Sequence, residues 1–110
     1  MHDNLDEAAD QVISALEVAV DDLESLRSGA ATARADAKKV EARALLDARD
    51  LGFKSREERD AYATLAAADL EAAADIAERV YRDKNTYIRV LQSQLELIRS
   101  RMATDRSMRV

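Results

Sequence analysis

The side chains that usually bind transition metals are scarce in this sequence, whereas carboxylates, which can act in acid–base chemistry, are common. It contains one histidine, His2, and no cysteine, so a transition-metal site lacks its usual ligands. Carboxylates are plentiful, but they lie at helical spacing among bases, as Glu78 and Arg82 do, which is typical of a solvated helix face. A di-metal carboxylate bundle needs Glu-x-x-His pairs, and phosphate loops and nucleophile elbows need Gly-rich motifs that do not occur here. The sequence therefore predicts no metal, no cofactor and no enzyme.

Aromatic and basic residues alternate in one stretch, from Tyr81 to Arg89. In a nucleic-acid site there, the basic side chains would contact phosphates and a tyrosine would stack on a nucleobase. The competing interpretation, which we favour, assigns the tyrosines to the core or to an interface, because Tyr81 neighbours Val80 and Tyr87 belongs to an apolar row. With the basic tail included, the candidate nucleic-acid residues are Arg82, Lys84, Arg89, Arg99 and Arg101.

The two ends of the chain carry net charges of opposite sign, and the whole chain has a net charge of -5. Residues 1–30 hold eight acids and one base, whereas residues 84–110 hold six bases and two acids. Acids such as Asp3, Asp6, Glu7 and Asp10 would pair with the basic tail if the ends meet. The tail would otherwise bind nucleic acid or fray.

Composition predicts an all-α protein. The 110 residues include no proline and two glycines, which leaves few breakers for strands and loops, and they suffice for a single domain, residues 1–110. No run approaches the roughly 18 apolar residues of a membrane span, and the acidic N-terminus has no apolar signal region. We expect a soluble, cytoplasmic protein that does not bind membranes.

The first helix is expected over about residues 4–51, with Asn4 as its N-cap. Small and apolar residues recur at alternating spacings of four and three, which predicts a heptad seam against another helix. The seam keeps its phase through Gly29, so we expect a continuous helix, with a break at Ser28-Gly29 as the alternative. Its members are Leu5, Ala9, Val12, Leu16, Ala19, Leu23, Leu26, Ala30, Ala33, Ala37, Val40 and Ala44.

A turn over residues 52–55 separates this helix from a second one over about residues 56–106. Gly52 suits the left-handed C′ position and Phe53 the following apolar contact of a Schellman motif. Ser55 and Glu58 form a reciprocal capping box. So short a turn makes the helices antiparallel, with residue i level with about residue 106 minus i, and sets Ala30, Ala33 and Ala37 against residues 72–74.

Large apolar residues of the second helix recur every eleven residues. Leu65, Ile76, Tyr87 and Ile98 form one such row, and Val80, Leu91 and Met102 form another. An eleven-residue period predicts a straight or slightly right-handed helix rather than an ideal coiled coil.

The first helix is apolar on more than one side, because Ile13 and Val20 flank the seam and Val18 lies further round. One partner helix cannot cover them all. We therefore expect a long antiparallel two-helix hairpin that dimerises into a four-helix bundle. The interface candidates are Val12, Ile13, Leu16, Val20, Leu23, Tyr81 and Tyr87.

The run from Gly52 to Ala63, with the Ala-rich helix after it and the ending Leu91–Ser100, resembles small helical proteins encoded by bacteriophages of actinobacteria. Those proteins carry Gly-Lys-Ser/Thr at the turn, whereas Phe53 here precedes Lys54. The resemblance implies a phage product and assigns no functional residue. The leading hypothesis is a non-enzymatic interaction protein that binds a host or phage protein; nucleic-acid accessory and structural virion roles are the alternatives.

Overall fold

The computed structural model describes the backbone of residues 2–108 and the side chains of residues 4–108. Helix α1 spans His2–Asp50 and helix α2 spans Arg56–Ser107, and no strand occurs in that range. The predicted all-α helical hairpin is confirmed. The chain divides into a turn unit, residues 26–81, and a terminal unit, residues 1–25 with 82–110.

Helix α1 begins earlier than its sequence signal indicates. It starts at His2, so Asn4 lies within the helix and is not its N-cap. The helix runs unbroken through Gly29, as predicted, and a Cβ atom built on Gly29 would have nothing within 4 Å. Gly29 therefore neither breaks the helix nor allows a close approach.

The turn has the predicted Schellman geometry. Gly52 adopts a φ of 91°, in the left-handed region. The N–H of Phe53 donates to the carbonyl of Ala48 at 3.2 Å, and that of Gly52 donates to Arg49 at 3.2 Å. These are the two bonds that define the motif. The Phe53 ring contacts α2, with its centroid 5.4 Å from that of Tyr62.

Only half of the predicted capping box forms. The N–H of Glu58 donates to the Ser55 hydroxyl at 3.0 Å, but no bond returns from the Ser55 N–H to the Glu58 carboxylate among the described residues. Arg59 instead ties the turn to α2, because its guanidinium donates to the carbonyls of Ser55 at 3.3 Å and Lys54 at 3.1 Å.

The heptad seam of α1 is confirmed, since every predicted member is buried or half-buried. The eleven-residue rows of α2 describe its buried side only in part. Leu91 is buried and Ile98 and Met102 are half-buried, but Leu65 is 78% exposed, and Ile76, Val80 and Tyr87 are exposed as well. The residues that α2 buries or half-buries are spaced at four and three, as in α1; they include Ala63, Ala67, Ala74, Ala77, Tyr81, Lys84, Ile88, Leu91, Leu95, Ile98 and Met102. Many are small or polar, so a count of large residues missed them.

Alanine alone forms the buried core of the turn unit. Of the residues predicted to meet Ala30 and Ala37, Ala74 is buried, whereas Ala72 and Ala73 are exposed. Alanine side chains fill little space, so this packing requires helix axes near the short end of the usual range of about 8–10 Å. The buried residues are Ala30, Ala37, Ala44, Ala48, Ala63, Ala67 and Ala74.

Beside this alanine seam, Arg34 of α1 binds three carboxylates of α2. Its guanidinium donates to both oxygens of Glu78, at 2.9 and 3.0 Å, and also to Glu71 and Asp75. The pKa of Arg34 is raised above its ordinary value, chiefly by the hydrogen bond with Glu78 and then by that with Asp75. Because the pKa is raised, folding favours the charged guanidinium, so this contribution is present at neutral pH and is lost as the pH rises into strong alkali.

The terminal unit has a core of larger side chains. Ala19, Ile88 and Leu91 are buried together, with Val12, Ala15, Leu16 and Leu23 packed against them. Lys84 occupies a seam position and pairs with Asp22, with Nζ 3.7 Å from Oδ2. Residue 84 is the position expected opposite Asp22, and Glu71 is one residue from that expected opposite Arg34, so the predicted register holds within each unit.

The two glycines allow a matched test of the backbone. Gly29→Ala should stabilise the chain by about 0.5–1 kcal/mol, because alanine is the better helix former and the new methyl meets no atom. Gly52→Ala should destabilise it by about 1–2 kcal/mol, because an L-residue is strained at positive φ. Urea unfolding monitored by circular dichroism measures the free energy of unfolding of both variants. Equal changes in the same direction would contradict the assigned roles of the two glycines.

Arg34→Met should lower the melting temperature at pH 7 because it leaves Glu71, Asp75 and Glu78 near one another without the guanidinium. Arg43→Met, an exposed change in the same helix, is the control. Calorimetric scans at pH 7 make the comparison, and an equal loss for the two variants would refute this role of Arg34.

Candidate interaction surfaces

Three of the predicted interface residues belong to the internal core. Val12, Leu16 and Leu23 are half-buried against Ala19, Ile88 and Leu91, so most of their apolar surface is already covered. Tyr81 is half-buried in the seam of the turn unit. The prediction grouped them with surface residues because spacing along one helix does not show which stripe its neighbour covers.

Ile13 and Val20 line an open groove between α1 and α2 of the terminal unit. Two depressions share Ile13, Leu95 and Arg99, and together they form what we call the charged groove. The apolar floor of the charged groove consists of Ala9, Ile13, Leu16, Val20, Leu95 and Met102.

The walls of the charged groove carry opposite charges. All lining acids come from α1, namely Asp6, Asp10, Glu17 and Asp21, and all lining bases come from α2, namely Arg99 and Arg106. Among the ion pairs formed by described side chains, none joins these walls. The predicted pairing of acidic start and basic end is thus a juxtaposition across a groove, and the side chain of Asp3 lies outside the described residues.

A second surface of the terminal unit, which we call the apolar face, consists of Val18, Tyr87, Val90 and Leu97. They are 62%, 46%, 48% and 63% exposed. Lys84 shows that both helices contribute to this side, because its ammonium pairs with Asp22 and lies 5.8 Å from the centroid of the Tyr87 ring. Val18 is one turn before Asp22 on α1, and Val90 is one turn after Tyr87 on α2.

The sequence interpretation missed Val90 and Leu97. Val90 follows Tyr87 by three residues and precedes Leu97 by seven, so the three define a stripe outside the seam of α2. That spacing was available in the sequence, but the eleven-residue rows assigned Tyr87 elsewhere.

The candidate nucleic-acid residues do not share one surface. Lys84 is half-buried and paired with Asp22, and Arg99 lies in the charged groove opposite acids. Arg101 is two residues further along α2, which turns it about 200° away from Arg99, whereas Arg82 and Arg89, seven residues apart, lie on one exposed face of the helix. Nucleic-acid binding stays a prediction.

The described residues contain neither a cluster of potential metal ligands nor a helix suited to spanning a membrane. No group of three or more histidine, cysteine, aspartate or glutamate side chains has the geometry to hold a metal ion there, and no described helix has an apolar stretch suited to crossing a membrane. Comparison of the chain with protein-family models, with curated proteins and with solved structures gives no match.

The dispersion of the bases leads to a prediction for nucleic acid. Because Lys84 is paired with Asp22 and only Arg82 and Arg89 share an exposed face, we expect no DNA binding at 50 mM salt by fluorescence anisotropy. Binding that weakens steeply with salt and is lost on combining Arg89→Ala with Arg99→Ala would contradict this expectation and support the nucleic-acid alternative.

Proposed function

We propose that this chain is a non-enzymatic protein–protein interaction module that self-associates into a four-helix bundle and binds a further protein through its apolar face. The observation that supports it is the exposure of four large apolar side chains in the terminal unit, two of which, Val90 and Leu97, line one shallow depression. Large apolar residues exposed together on a small helical protein are typical of interaction sites.

Tyr87 is suited to anchor such a contact. Its ring supplies a large rigid area at low entropic cost, and it is already oriented by the ammonium of Lys84. Val90 and Leu97 on the same helix would extend the contact, and a partner helix laid along α2 would meet them at intervals of three and seven residues.

The origin of the partner follows from the resemblance to phage proteins. On that basis the bound protein is a host or phage protein, such as a component of a recombination complex, and the chain acts by occupying one of its surfaces. No catalytic step is required for such a role, since occupancy alone changes what else the partner binds.

The apolar face can be tested by changing Val90→Gln together with Leu97→Gln. Both side chains are exposed and glutamine is a good helix former, so the fold should persist while partner capture falls by about tenfold or more. Biotinylated chain is used to recover proteins from host lysate, with identification by mass spectrometry.

Leu65→Gln is the matched control, because Leu65 is exposed on the same helix but in the turn unit. It should leave capture unchanged. Equal capture by wild type and the double variant would refute the role of the apolar face.

A further inference from the structure

We infer that the charged groove is the docking site for a second copy of this chain, packed groove to groove about a two-fold axis parallel to the helices. This inference rests on the self-association proposed above. It adds the surface, the direction of the axis and the residues that meet.

Charge is separated between the two walls of the groove. The acids belong to α1 and the bases to α2, so a partner must present bases over α1 and acids over α2. A second copy, turned by 180° about an axis parallel to the helices, places its α2 over α1 of the first copy and its α1 over α2 of the first copy. The groove is therefore complementary to itself in this one orientation.

The other two-fold arrangement, with the axis across the helices, is disfavoured. It would stack α1 on α1 and α2 on α2. Asp6 and Asp10 would then approach the acidic wall of the second copy, and Arg99 would approach its basic wall. Like charges brought together in an interface oppose association, so the charge pattern selects the parallel axis.

The register of α1 against α2 sets which charges meet between the two copies. Asp22 pairs with Lys84, so within the terminal unit Asp6 is level with about residue 100 of α2. A parallel two-fold axis preserves this level in both copies. Asp6 therefore meets Arg99 of the second copy, with Asp10 one helical turn away, and symmetry forms the same contact twice.

The groove floor retains some uncovered apolar surface. Val20 is 53% exposed and Ile13 is half-buried, and both lie between the charged walls beside Leu95, which is already buried. Docking would bury Val20 and the uncovered part of Ile13 at the centre and leave the charged pairs toward the rim, as in stable protein interfaces. Apolar burial would supply affinity, and the charges would supply orientation.

Two charge-reversed variants test the inference by mixing. Asp6→Lys with Asp10→Lys places bases on both walls at the level of Arg99, while Glu17 and Asp21 remain further along α1, and Arg99→Glu with Arg106→Glu makes both walls acidic. Each variant alone should dimerise at least about tenfold more weakly than wild type, because its like charges meet twice. An equimolar mixture should recover the wild-type affinity as a heterodimer, since each basic wall then meets an acidic one. Sedimentation equilibrium and native mass spectrometry measure affinity and composition.

The mixing step separates contacts between copies from contacts within one chain, because a change inside a single chain is not rescued by another. Asp83→Lys with Arg101→Glu is the control: neither residue lines the groove, and this variant should dimerise as wild type does. Asp10→Asn and Arg99→Gln remove charge while nearly preserving volume. They should weaken the dimer in the same direction, which keeps the test decisive if the reversed variants fail to fold.

Contrary outcomes are distinguishable. Wild type that remains monomeric at 100 µM overturns both the docking inference and the proposed self-association, whereas partner capture by the apolar face is measured separately. A dimer that both reversed variants form as tightly as wild type overturns the docking inference alone, because self-association would then use another surface. Weakened variants that do not form a heterodimer overturn the parallel axis.

Discussion

Close approach of two helices along an alanine seam is the constraint on which the turn unit depends. Alanine at each buried position gives little apolar area, so the packing stabilises only if the backbones approach closely and in one register. The Schellman turn at Gly52 sets that register locally. Arg34 sets it again further along, since one guanidinium reaches Glu71, Asp75 and Glu78 together only when the helices are aligned.

The terminal unit uses a different balance of interactions. Its seam contains Ile88, Leu91 and Leu95, which bury more area per residue, but it also contains Lys84. A lysine within a seam lowers stability and favours the register that gives it a partner, here Asp22. Larger side chains also spread beyond the seam, which explains why this unit carries both the charged groove and the apolar face.

The sequence predicts most where structure is local. The turn follows from Gly52 and Ser55, whose conformational and capping preferences act within a few residues. The α1 seam follows from its regular period. The α2 seam could not be found by counting large residues, because alanines and Lys84 occupy it while Leu65 is exposed. The Arg34 cluster was also missed, although the register puts Arg34 level with residue 72, beside Glu71 and Asp75.

Prediction of the candidate surfaces requires knowledge of which apolar stripe on each helix is covered by the other helix. Ile13 and Val20 were identified from α1 alone, but their setting between an acidic and a basic wall requires both helices. Val12 and Leu16 look the same in sequence and are core residues. Periodicity reports the faces of one helix, whereas a surface is defined by what its neighbour leaves uncovered.

The alanine core also has a thermal consequence. The heat capacity of unfolding arises mainly from apolar surface newly exposed to water, and buried alanines expose little of it. Unfolding of the turn unit should therefore show a heat-capacity increment per residue below the usual range of about 12–15 cal/mol/K. Its stability curve would be flat, changing little between cold and warm conditions, as expected for a structure held more by backbone geometry and hydrogen bonding than by a large apolar core.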